Sequence, residues 1–411
     1  MVTSISLRAK PMLYEVDRHE KLSSAPWDET RVLEGIQEIV QAAIDSFDDT
    51  GLWPKHPRDE DLGPAEHHRS LYCGAAGTLW ALWYLSNVGA TPISIDTELL
   101  IENVYQDYRA HPDFGPGVAS FSLGEAGILL VRYRMSGSAD AARRLYEIVD
   151  ENIPNPTNEP LWGAPGTMLA AWYMWEWTAE VRWRELFLKN VEHLWQGWQL
   201  YEPTNCHLWT QEYGATVQYL GAGHGFSGNV YPLLRGASLL DEGRRQTLYE
   251  RVGKTLANTA SVEGEHANWP PRAELCATQD KLFRLQWCHG SPGIITGLRH
   301  LPTGLLPDAE RLLLLGGELT WQAGPLTKGP GLCHGTAGNG YALLSLYRRS
   351  GDERWLARAR AFAMHALQQS SNLRAEYGCG RHTLWTGDLG LAVYLWHCIS
   401  GEDLIPGLDI I

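Results

Sequence analysis

One phrase recurs along this chain: a glycine, two residues, a second glycine, then an apolar run. It appears at Gly74–Gly77, Gly124–Gly127, Gly163–Gly166, Gly225–Gly228, Gly290–Gly293, Gly335–Gly338 and Gly387–Gly390. Successive copies start 39 to 65 residues apart, room for two helices and their connections. The runs after the glycines, such as TMLAAWYMWEW, are apolar nearly all round, as buried helices are. Between them lie segments with one wet face, such as residues 31–47 and 352–369. In the latter Leu356, Ala359, Ala363 and Leu367 fall at helical spacing. Alternating polarity is scarce, so strands should be minor. Buried helices alternating with amphipathic ones predict an all-α, α/α toroid: about seven inner helices inside an outer ring, with all seven turns at one end. No Ser/Gly-rich linker interrupts residues 1–411, which read as one domain. Glycine at each turn has two candidate reasons: freedom in φ, and close passage of neighbouring backbones.

Hydrophobic residues make up 44% of the 411 and charged residues 20%, enough for a sizeable core. A net charge of −14 argues against nucleic acid or an anionic membrane as the main partner. There are 18 Trp against 7 Phe, which fits either wide gaps between helices or a lined cleft. The first 20 residues lack an apolar signal core, and no apolar run reaches membrane-span length. Seven scattered cysteines fit a reducing compartment, so the expected location is the cytoplasm.

Three turns carry reactive side chains: Cys288 and His289, Cys333 and His334, and His224. If the turns share one end of a barrel, Cys288, Cys333 and His334 meet there as a Cys₂His set. Such a set leaves a fourth position on zinc open to water or substrate. Two cysteine ligands favour a thiol as that substrate. Packed cysteines and histidines are the plainer alternative. His224 suits proton transfer because its ordinary pKa is near neutral. Glu159, four residues before the third turn, belongs to the same rim; an isolated Glu in such a place also serves simply as a solvated residue.

The phrases GAGHGFSG, WCHGSPG and LCHGTAGN resemble those of the lanthionine synthetase C-like family, and the likeness runs through all seven repeats. The resemblance implies the α/α toroid and one zinc held by Cys288, Cys333 and His334, with His289 not a ligand. It implies acid/base chemistry for His224. Peptide cyclases of the family typically have Asp where this chain has Glu159, and NEPLWG and KGPGLCHG look like the eukaryotic-type branch. That branch places Lys328, and less closely Arg8, where basic residues contact glutathione. The implied reaction adds a thiol, from glutathione or a peptide cysteine, to dehydroalanine or dehydrobutyrine in a peptide or protein. No phosphate-binding loop is visible, so another enzyme must make the unsaturated residue. Three rivals remain. A glycoside hydrolase would need facing carboxylates, for which Glu159 and Asp388 are the rim candidates. A zinc prenyltransferase-like toroid would also activate a peptide thiol. A non-enzymatic protein would only hold zinc, glutathione or a peptide.

Overall fold

The computed structural model describes residues 13–47, 52–62, 66–212, 214–278 and 282–411. Arg8 lies outside them. Fourteen α-helices alternate between two layers among these residues. The outer layer is α1 (Glu29–Ile44), α3 (Thr97–Ala110), α5 (Ala139–Glu151), α7 (Val181–Gly197), α9 (Glu242–Thr259), α11 (Pro307–Ala323) and α13 (Glu353–Tyr377). The inner layer is α2 (Ala75–Asn87), α4 (Glu125–Ser136), α6 (Ala164–Thr178), α8 (Phe226–Arg235), α10 (Ser291–Gly297), α12 (Thr336–Ser350) and α14 (Asp388–Ser400). Each inner helix packs on the next inner helix, and α14 returns to α2, so the ring closes. The protein is the expected α/α toroid.

The layers begin differently. Asp28, Asp96, Ser138, Asp241 and Asp352 cap outer helices by accepting a backbone N–H two or three residues on. Every inner helix has glycine at that position and no side-chain cap. Instead the turn folds back and supplies a carbonyl to the first helical N–H. Ala75 donates to His68 at 2.9 Å, Phe226 to Tyr219 at 2.9 Å and Thr336 to Gly329 at 2.9 Å.

This folding back explains the second glycine of each pair. A Cβ on Gly338 would fall 1.7 Å from the Leu332 carbonyl oxygen, and the other six meet the carbonyl six residues earlier within 2.2 Å. The same glycines press on the neighbouring turn: Gly338 on Trp287, Gly293 on Ala222, and Gly77 on Leu384 across the closure. Close approach, rather than freedom in φ, therefore demands most of these glycines. Among the first glycines only Gly290 has positive φ, at 110°. That conformation is costly for any residue with a Cβ.

Trp80, Trp183, Trp198, Trp209, Trp269 and Trp355 are fully buried, which supports the gap-filling reading of the tryptophans. Three antiparallel hairpins complete the described residues: β1 (Gln199–Tyr201) with β2 (Cys206–Leu208), β3 (Gln211–Glu212) with β4 (Thr216–Val217), and β5 (Ser261–Glu263) with β6 (His266–Asn268). Residues 403–411 pack against the inner helices and their turns. Asp409 there accepts from the Tyr231 hydroxyl at 2.5 Å and pairs with Arg299. Gly407 and Leu408 line an apolar cavity shared with Tyr72, Trp287 and Trp385.

Candidate active site

Backbone hydrogen bonds lace the turns together. Gly223 N–H donates to the Cys288 carbonyl at 3.3 Å, Cys288 N–H to Cys333 at 3.1 Å, and Cys333 N–H to Trp385 at 3.0 Å. Trp385 donates in turn to Tyr72 at 3.1 Å, and Tyr72 to Ser122 at 2.9 Å. Residues 45 apart in sequence are thereby fixed side by side at one end of the barrel. The sulfurs of Cys288 and Cys333 and a ring nitrogen of His334 lie within 4.8 Å of one another. Both cysteines are buried and His334 is half-buried. Among the described residues no other three His, Cys, Asp or Glu side chains form such a group.

The donor chemistry fits a metal. Cys333 donates to the Cys288 sulfur, and this pulls the Cys288 thiol well below its ordinary acidity range despite burial. The same bond, reinforced by burial, pushes Cys333 well above it. Two buried sulfurs that share one proton need a cation before both can ionise. Two thiolates and an imidazole make a set that suits zinc and leaves one position open. Supporting groups stand behind the sulfurs: the Gln286 amide donates to Cys288 at 2.9 Å, and the Tyr72 hydroxyl bonds to Cys333.

Beside this set stands a His–Glu pair. His224 Nδ1 is 3.2 Å from a Glu159 carboxylate oxygen. Glu159 is fully buried and accepts backbone N–H bonds from Leu161 at 3.0 Å and Trp162 at 2.6 Å. Burial works to lower the His224 pKa, but the hydrogen bond and charge of Glu159, with the Cys288 sulfur, outweigh it and raise the pKa. His224 stacks on His289 with ring centroids 5.5 Å apart, and Tyr219 lies within 6 Å of both rings. Burial lowers the His289 pKa.

Lys328 is exposed, and its charge reaches the Cys333 sulfur. Its carbonyl accepts from Arg58 at 2.6 Å. Asp388 stands elsewhere: its carboxylate is buried against Ser370 of the outer helix α13 at 2.8 Å and the Arg381 N–H at 3.2 Å. It therefore faces the interlayer core, and no facing pair with Glu159 is available for a glycosidase. Tyr219, Gln286 and Tyr72 were not legible as site residues, and His289 was singled out only as a turn residue beside Cys288, not as the neighbour of His224. Only the twin Cys-His dipeptides hinted at His289, and nothing in the sequence fixed its direction.

The chain matches the family described as lanthionine synthetase C-like protein over residues 65–410. It is 35% identical over 157 residues to a Danio rerio protein named glutathione S-transferase LANCL1, covering 38% of this chain and 36% of the relative. It is 33% identical over 204 residues to the Arabidopsis thaliana LanC-like protein GCL1, covering 47% and 44%. The chain thus spans less than half the length of these relatives. Its fold is similar to that of nisin cyclase, with a TM-score of 0.62 and 15% identity over 91% of this chain and 95% of that one.

Proposed function

This chain belongs to the lanthionine synthetase C-like family, and from that premise we propose that it adds a thiol to the β-carbon of dehydroalanine or dehydrobutyrine residues, forming a thioether. The observation that carries this reading is the gathering of Cys288, Cys333 and His334 within 4.8 Å, beside the His224–Glu159 pair. Zinc held by the first three would supply a Lewis acid that keeps a substrate thiol ionised at neutral pH. The chain's own residues account for the rest. His224 directs Nδ1 to Glu159, so its Nε2–H is the proton source for the α-carbon after the sulfur adds. Glu159, anchored by two backbone amides, orients that imidazole and favours its charged form. Lys328 offers an ammonium to an anionic thiol substrate, which favours glutathione over an uncharged peptide cysteine. The electrophile is a dehydroamino-acid-containing peptide or protein. No described helix is long and apolar enough to cross a membrane.

The test is incubation of zinc-loaded protein with glutathione and a dehydroalanine peptide, read by mass. Gain of one glutathione, faster than without protein, is expected. A second peptide carrying its own cysteine separates glutathione transfer from ring closure. No acceleration of either product would end the thiol-addition reading.

A further inference from the structure

Thiol addition has a second electrostatic demand besides the proton. As sulfur bonds to the β-carbon, the alkene electron pair moves onto the neighbouring carbonyl oxygen and forms an enolate. The enolate collapses when the α-carbon takes a proton, restoring the carbonyl. A donor aimed at that oxygen lowers the barrier. His224 has its own task at the α-carbon, and both Glu159 oxygens are already engaged by the Leu161 and Trp162 N–H groups and the His224 ring.

We propose, building on the thiol-addition reading, that His289 donates a hydrogen bond from Nε2–H to the carbonyl oxygen of the dehydroamino acid. Three observations place it there. Its ring stacks on His224 at 5.5 Å, so the two imidazoles share one wall of the site. It follows Cys288 directly, beside the sulfur set. Its Nδ1 is buried with no hydrogen-bond partner, while the ring as a whole is half-buried. A proton on Nδ1 would be an orphaned buried N–H, and these are rarer than under-used acceptors. The proton therefore sits on Nε2, at the accessible edge of the ring. The Tyr219 ring lies 5.7 Å away, centroid to centroid, and helps hold the imidazole in place.

The experiment compares wild type, His289→Gln and His289→Phe on a dehydroalanine peptide with glutathione, each rate taken relative to the uncatalysed reaction. Loss of one such donor should lower kcat by about 10²–10³-fold in His289→Phe, with KM nearly unchanged and zinc retained. His289→Gln, which keeps an N–H donor, should retain most of the activity. A matched thioamide substrate presents a poor acceptor sulfur in place of the oxygen. On it the wild type should lose acceleration, and its advantage over His289→Phe should shrink to a few-fold. An equal advantage on both substrates, loss of zinc in His289→Phe, or full activity in that variant would overturn the assignment. So would unreduced wild-type acceleration on the thioamide, a result that needs no variant to fold. If the wild type adds no thiol to the amide peptide, the thiol-addition reading itself falls.

Discussion

Histidines at two depths of the barrel behave in opposite ways. Further down the inner helices, His397 is completely buried, and both ring nitrogens are engaged, Nε2 with Tyr84 at 2.9 Å and Nδ1 with Tyr341 at 2.8 Å. At the turns, His224, His289 and His334 are all half-exposed, and His289 has a nitrogen with no partner. Burial drives the His397 pKa down to about 3, whereas Glu159 lifts that of His224. The lower histidine completes a closed network, whereas His289 keeps one buried nitrogen without a partner.

The contrast predicts that damage at the turns removes activity and spares the fold, while damage below does the reverse. Cys333→Ala should abolish zinc binding and reduce thiol addition to background, with the melting temperature close to wild type. Wholesale unfolding in that variant, seen by circular dichroism, would merge the two regions into one structural unit. His224→Ala should keep its zinc and lose about 10²–10⁴-fold in rate. Because Glu159 raises the His224 pKa, activity should persist to higher pH than an ordinary histidine allows and fall as pH rises through that value. Glu159→Gln removes the lift and leaves burial dominant, so the falling limb should move to lower pH. A pH–rate profile unmoved by Glu159→Gln would break the link between the two residues.

His397→Phe tests the other side. It removes the partner of the buried Tyr341 hydroxyl and of the half-buried Tyr84 hydroxyl and should cost about 1–3 kcal/mol in urea unfolding, with kcat unchanged. The neutral buried imidazole also makes stability pH-dependent. As pH falls below 6.5 the unfolded chain takes up a proton that the folded chain refuses until about 3, so wild-type stability declines over that range. The variant should lose this part of the slope. The smallest effect belongs to Lys328→Ala. An exposed ammonium should change the KM for glutathione by about fivefold at most, with kcat intact.

The fold was legible because its constraint is local and repeated: each turn needs a glycine where a carbonyl six residues earlier leaves no space for Cβ. Of the two reasons read from sequence, close passage of neighbouring backbone holds for the second glycine of every pair, and freedom in φ holds among the first glycines only at Gly290. The sulfur set was legible because Cys288 and Cys333 precede equivalent turns, and equal position in a repeat implies proximity in a ring. Gln286 behind Cys288, Tyr72 behind Cys333 and the stacking of His289 on His224 were not legible. The last two depend on side-chain direction across turns 65 and 261 residues apart, and Gln286 on side-chain direction within the turn it shares with Cys288, two residues on; no local pattern encodes either. Asp388 shows the converse: it sits at a turn like its peers, yet Ser370 and the Arg381 N–H turn it toward the interlayer core.

The central claim is that Cys288, Cys333 and His334 hold a zinc ion with one position open to a substrate thiol. Zinc K-edge X-ray absorption of the purified protein, with and without glutathione, tests it most directly. Two sulfurs and nitrogen or oxygen neighbours should describe the protein alone, and glutathione should bring a third sulfur into the shell at about 2.3 Å. A shell unchanged by saturating glutathione, or one that already holds four protein ligands, would contradict it.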